Sequence, residues 1–277
     1  MTGPMTPPVN SQRYTDRRVL ITGGGSGIGQ ACVLRILAEG GAVVAADISE
    51  AGLEHTRAKV AAADTSGRLT TLVMDVADEE AVKTGVRAAV ETLGGLDTVV
   101  NVAGILRSAH FLDTTLADFE QVLRVNLVGT FLVIREALPA LRGGNAPAVV
   151  NFTSTSADFA HPWMSAYAAS KGAIKALTHT LAAEFGPEGI RFNCVQPGSI
   201  SSGMTAGVGE SKQSIGPGLP EDIDYTWFDR VAPVLPMPKG EMFADPDAVA
   251  AVVAMLGSPE AFFVTGTEVR IDGGAHT

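Results

Sequence analysis

Arg18-Val-Leu-Ile-Thr-Gly-Gly-Gly-Ser-Gly-Ile-Gly29 is the stretch that decides the fold. A short apolar run, typical of a strand buried on both faces, leads into a glycine-rich turn and then a helix-length segment, Ile28–Ala38. The same rhythm recurs down the chain. Apolar runs at Ala42–Asp47, Leu69–Asp75, Asp97–Asn101, Ala148–Phe152, Ile190–Gln196 and Glu268–Ile271 alternate with helical candidates at Ala51–Ala63, Glu79–Leu93, Thr115–Leu141, Ser165–Phe185 and Pro246–Leu256. Seven strands alternating with helices predict an α/β fold: one parallel sheet with helices on both faces. In such a sheet ligands bind beyond the carboxyl ends of the strands.

The turn Thr22–Gly29 lies at one such end. Its backbone amides and the positive end of the following helix can hold a pyrophosphate, and glycine lets the backbone approach closely. Gly23, Gly27 and Gly29, with Ser26 and Ile28 between them, depart from the G-x-G-x-x-G spacing. Asp47 closes the second strand twenty positions beyond Gly27, where a carboxylate accepts hydrogen bonds from an adenosine ribose. Its charge would repel a 2′-phosphate, and neither Ser26 nor Ile48 offers a compensating cation, so the reading favours NAD over NADP. Asp47 also suits the N-cap of the next helix, a place that Ser49 could fill instead.

Bulk properties narrow the function classes. The 277 residues carry no composition break, so one domain, residues 17–277, is expected after a loose tail over residues 1–16 rich in Pro, Thr and Ser. With 46% hydrophobic and 6% aromatic residues, the core should be large and aliphatic. The net charge of −10, without a basic stripe, argues against a nucleic-acid partner. No signal peptide and no uninterrupted apolar run of membrane-spanning length is found, which predicts a cytoplasmic protein without a membrane partner. Cys32 and Cys194 are too few for a disulfide framework or a zinc cluster and are expected as buried thiols. The stretch from Ser201 to Phe243, rich in Gly and Pro, shows neither strand nor helix periodicity and is expected as an irregular substrate loop.

Tyr167 and Lys171 stand four apart in a helical segment, hence on one face, where an ammonium near a phenol could move a proton close to neutral pH. Together the spaced motifs resemble the short-chain dehydrogenase/reductase family from Arg17 to Gly274. The glycine turn is similar to that family's T-G-x-x-x-G-x-G, Asp75-Val76 to its adenine-binding dipeptide, and Asn101-Val-Ala-Gly104 to its N-N-A-G with Val in second place. Ser154, thirteen residues before Tyr167, completes S…Y-x-x-x-K with Lys171. Pro197-Gly198-Ser-Ile200, with Ser202, resembles the loop that meets the nicotinamide, and Ile271-Asp-Gly-Gly274 the C-terminal signature.

The resemblance implies a single-domain Rossmann-type doubly wound parallel seven-stranded sheet and an oxidoreductase interconverting a secondary alcohol and a ketone. It implies Tyr167 as acid/base, Lys171 lowering the tyrosine pKa and binding the nicotinamide ribose, Ser154 orienting the substrate oxygen, and Asn126 holding a relay water. Gly23, Ser26, Gly27, Ile28, Gly29, Asp47, Ile48, Asp75, Val76, Asn101, Ala103, Gly104, Pro197, Gly198, Ile200 and Ser202 are expected around the cofactor together with Tyr167 and Lys171. No metal is required. A homotetramer is implied as well. Phe159, Trp163, Met164, Met204, Trp227 and Phe228 are the candidate substrate-facing residues and suggest an apolar substrate. His110 and His161 are read as structural or exposed. A reductase of 3-oxoacyl thioesters and a catalytically silent nucleotide-binding scaffold are the alternatives. Asp47 and the acidic balance count against the first, the intact Asn126, Ser154, Tyr167 and Lys171 set against the second.

Overall fold

The computed structural model describes residues 12–63, 65, 68–201, 219–220, 222–224, 226–229, 232–236 and 243–276. Seven strands form one parallel sheet: β1 (Arg18–Thr22), β2 (Ala42–Asp47), β3 (Leu69–Val73), β4 (Thr98–Asn101), β5 (Ala148–Phe152), β6 (Arg191–Pro197) and β7 (Glu268–Ile271). Their spatial order is β3-β2-β1-β4-β5-β6-β7. The order reverses between β1 and β4, which pair in parallel with Val19 opposite Thr98 and Thr22 opposite Asn101. That reversal opens a crevice at the carboxyl end, the place where a doubly wound sheet binds its ligand.

Strand side chains alternate between faces, and the core divides accordingly. Val19 and Ile21 of β1 and Val150 of β5 pack with α1 (Gly27–Ala38), α2 (Glu50–Ala62) and α8 (Pro246–Gly257), through Cys32, Ile36, Leu53 and Val253. Leu20 and Val149 face the other way. They meet α3 (Glu79–Leu93), α5 (Gly129–Leu141) and α6 (Ser165–Phe185) through Val82, Val86, Leu132, Ala137 and Phe185. Both cysteines are buried free thiols. The remaining helices are α4 (Leu116–Leu123) and the single turn α7 (Thr226–Asp229).

Local chemistry sets the element ends. Ser49 caps α2 by accepting from Gly52 N, and Asp78 caps α3 by accepting from Ala81 N. Gly94 ends α3 in the left-handed conformation, φ 71°. The helix expected over Thr115–Leu141 is interrupted: a π-helical turn, Arg124–Val128, separates α4 from α5. The strand expected over Leu69–Asp75 stops at Val73, because Asp75 starts a turn in which its Oδ1 accepts from Ala77 N at 2.8 Å.

The expected tail extends less far than residue 16. Tyr14 is fully buried, and its hydroxyl donates to Ala254 O at 3.0 Å. Arg17 donates to Gly257 O at 3.1 Å, and Arg191 to Leu256 O and Ser258 O at 2.7 and 2.9 Å. Two cations and a phenol thereby satisfy the last carbonyls of α8, where the helix dipole favours positive charge. This cluster fastens the amino end of the sheet, opposite the crevice. Among the described residues no helix is long and apolar enough to cross a membrane.

Candidate active site

The crevice is a cleft of about 1110 Å³. Gly23, Ser26, Gly27, Ile28 and Gly29 line one end. Asp47, Ile48, Asp75 and Val76 flank that end, Ala103 and Gly104 line the middle, and Ser154, Tyr167, Lys171, Pro197, Gly198 and Ile200 surround the far part. Ser26 stands at the N-cap of α1 without a side-chain hydrogen bond to its amides, so the helix N-terminus opens toward the cleft. The glycines are sterically required. Gly23 has φ +71° and a Cβ there would come within 2.8 Å of Ala103 N, while a Cβ on Gly29 would lie 2.0 Å from Gly23 O. This close-packed cradle, with free helix amides beside it, fits a pyrophosphate.

Asp47 does not cap α2, since Ser49 does. Its Oδ2 instead accepts from Gly25 N and its Oδ1 from Ser49 N, both at 2.9 Å. Two backbone amides fix the carboxylate at the rim of the cradle, and its remaining lone pairs can take ribose hydroxyls.

At the far part, Lys171 is buried and its Nζ donates to Phe152 O at 2.9 Å. The same Nζ lies 5.5 Å from the centroid of the Tyr167 ring. Burial lowers Lys171 from 10.5 to about 8. Burial also raises the Tyr167 phenol above its ordinary value, and the hydrogen bond to Ser154 only partly offsets this. Desolvation disfavours each charged form, so both groups move toward neutrality. Ser154 lines the cleft with its hydroxyl neighbours Thr153, Thr155 and Ser156. Thr153 turns its hydroxyl to Val195 O at 2.9 Å, whereas Ser154 stands beside Tyr167.

Two expected site residues act from behind the wall. Asn126, fully buried in the π-helical turn, accepts from Ile105 N at 2.8 Å and donates to Ile105 O at 2.9 Å and to Ser170 Oγ at 3.0 Å. A side chain so engaged clamps the loop after β4 to α6. Asn101 donates to Asn151 Oδ1 at 2.9 Å, and Asn151 to Thr178 Oγ1 at 2.9 Å. Asn101 belongs to a buried network joining β4, β5 and α6, and does not line the cleft as expected.

A family model described as enoyl-(acyl carrier protein) reductase matches residues 23–276. Levodione reductase of Leifsonia aquatica is 37% identical over 263 residues, covering 95% of each chain. The chain belongs to the short-chain dehydrogenase/reductase family. It is an oxidoreductase by that membership. A short-chain dehydrogenase from Mycobacterium paratuberculosis bound to NAD superposes with a TM-score of 0.84 at 29% identity, covering 95% of this chain and 98% of the other. One from Burkholderia cenocepacia in complex with NADP gives 0.80 at 32% identity, covering 96% and 100%.

Within this dehydrogenase/reductase the substrate end differs from the sequence expectation. Met164 lines the cleft, but Trp163 borders a separate cavity of about 130 Å³ and is held at φ +66°, with its carbonyl accepting from Ala109 N. Trp227 is not among the lining residues. Ser202, Met204 and the side chain of Phe228 lie outside the described residues. His110 is exposed and pairs with Asp222 at 2.8 Å. His161, read from sequence as structural or exposed, lines the cleft, and so does His276, which sequence reasoning passed over. A lone histidine near a chain end carries no periodicity or spacing that could have marked it. From the irregular stretch, Leu219, Pro233, Leu235 and Phe243 also line the cleft. Ser201 N donates to Ala244 O and Ala244 N to Ser199 O, so the stretch leaves and returns at one point. No group of three or more metal-ligating side chains occurs among the described residues.

Proposed function

We propose that this chain interconverts a secondary alcohol and a ketone using NAD(H), with Tyr167 as the acid/base. One observation carries the reading: Ser154, Tyr167 and Lys171 share a single cleft with a pyrophosphate cradle and a backbone-fixed carboxylate at its other end. The dinucleotide, when bound, supplies the two-electron redox partner. Gly23, Gly27 and Gly29 with the α1 amides hold its pyrophosphate, Asp47 its adenosine ribose, and Lys171 its nicotinamide ribose.

In the oxidative direction Tyr167 takes the hydroxyl proton as the substrate carbon gives up its hydride, leaving a carbonyl. In the reductive direction Tyr167 returns that proton to the carbonyl oxygen. Ser154 orients the oxygen by hydrogen bonding. Asn126 positions Gly104 and Ile105 through its bonds to Ile105. Asp47 at the ribose disfavours a 2′-phosphate, which supports NAD over NADP and weighs against a 3-oxoacyl-thioester reductase using the phosphorylated cofactor.

The protein assembles as a homotetramer. Exposed Phe131 on α5, and Phe262 and Phe263 before β7, are large apolar side chains that such interfaces would cover. Light scattering is expected to give four times the 28.6 kDa of the chain; a monomeric mass overturns the assembly. Incubating the protein with NAD⁺ and a panel of secondary alcohols at alkaline pH tests the activity. NADH is expected to accumulate, and its absence across the panel overturns the reading.

A further inference from the structure

His276 is wired into the cleft wall. Its Nδ1 donates to Asp272 Oδ2 at 3.0 Å, and its backbone N donates to the same oxygen at 3.2 Å. Gly274 N donates to Asp272 Oδ1 at 3.0 Å, which ties the turn after β7 to that carboxylate. The imidazole stacks on Phe159, centroids 4.1 Å apart and planes 23° apart. Phe159 holds a second imidazole through its carbonyl, 3.1 Å from His161 Nδ1. The two histidine rings lie 5.6 Å apart, and both line the cleft that holds Ser154 and Tyr167.

The Nδ1 partners fix what the other ring nitrogens can do. A carbonyl and a carboxylate are acceptors only, so each Nδ1 carries a proton, and in a neutral ring Nε2 is then an acceptor. Burial holds His161 below its ordinary pKa, and the neighbouring His276 lowers it further against the raising effect of the Phe159 carbonyl. Neither Nε2 has a hydrogen-bond partner among the described residues. Two preset acceptors, fixed by an aromatic stack and a buried carboxylate, cost a simple hydrocarbon substrate the hydration of both nitrogens. A substrate hydroxyl donates its single proton to one of them and restores that bond.

Resting on the reading of Tyr167 as the acid/base for a secondary alcohol, we propose that the substrate carries a second hydroxyl, which donates to Nε2 of His276 beside His161. The natural pair is thus a diol and a hydroxyketone. His161 and His276 are specificity-determining residues, and Asp272 and Phe159 are their positioning residues.

The test compares cyclohexanol, the 1,2-, 1,3- and 1,4-cyclohexanediols and their mono-methyl ethers as substrates with NAD⁺. At least one diol is expected to exceed cyclohexanol in kcat/KM by tenfold or more, and its methyl ether to lose that advantage, because the ether cannot donate. His276→Phe keeps the stack on Phe159 but removes Nε2. It is expected to lose at least tenfold more kcat/KM with the preferred diol than with cyclohexanol, mostly through KM, and His276→Gln is expected to recover part of the loss. The inference is overturned if the wild type oxidises cyclohexanol as well as every diol, if the ethers match the diols, or if His276→Phe lowers all substrates equally. Those results leave the proposed alcohol oxidation standing. Failure of the wild type to oxidise any of them overturns the activity itself, and the second hydroxyl with it.

Discussion

Lys171 gives up stability for its position. Its ammonium is buried, donating to Phe152 O, and burial lowers its pKa to about 8. Between about 8 and its ordinary 10.5 the unfolded chain holds a proton that the folded chain has lost, so this group makes stability rise with pH across that window. Lys171→Met is expected to melt no lower than the wild type near neutral pH, and to lack that rise, while kcat falls about a hundredfold or more. Thermal melts against pH and steady-state rates check both. On the proposed mechanism ketone reduction needs the Tyr167 proton and the Lys171 charge together, so its rate is expected to hold below about pH 8 and fall above it. A profile rising through pH 8 contradicts this. At the other end of the cleft, Asp47→Ser removes the charge facing a 2′-phosphate. The preference for NADH over NADPH is expected to shrink by about tenfold or more, read from the two dissociation constants.

The elements differ in how openly they announced themselves. Strands β1 to β7 were legible because doubly covered strands read as continuous apolar runs, and the glycine turn was legible because its φ and its close approaches admit no side chain. The interruption of the α4–α5 segment was not, since a π-helical turn leaves no mark on hydrophobic periodicity. Within that turn the residue type of Asn126 was readable from the sequence, and its partner Ile105 was not. Asn126→Ala leaves two part-buried backbone groups of Ile105 without this partner, and is expected to cost about 1–3 kcal/mol of stability, with a lower kcat, by denaturant unfolding and turnover. Asn101 misled for a related reason: an amide at a strand end faces either the ligand or the neighbouring strand, and only the Asn151–Thr178 chain decides. Likewise Tyr14 sat in a segment composed like a tail. Tyr14→Phe strips the Ala254 carbonyl at the end of α8 of its donor and is expected to cost about 1–2 kcal/mol with turnover intact, because that cluster lies at the opposite end of the sheet from the cleft.

At the scale of the whole molecule, the sheet order places the β1–β4 crevice centrally, and loops after β1, β2, β4, β5 and β6 all contribute to one cleft. The end of the cleft proposed for the cofactor is built from turns that carry sequence signatures. The other end is lined by His161, His276 and, beyond Ile200, described residues such as Leu219 and Phe243, whose placement follows from long-range folding and not from local pattern. Tyr167 joins the two ends, and the account stands on it. The most direct test is turnover of Tyr167→Phe on an alcohol that the wild type oxidises, paired with its NADH dissociation constant. The variant is expected to bind NADH within a few-fold of the wild type and to lose about a thousandfold in kcat/KM, in the range set by removing a general acid/base. Full turnover by Tyr167→Phe would contradict it.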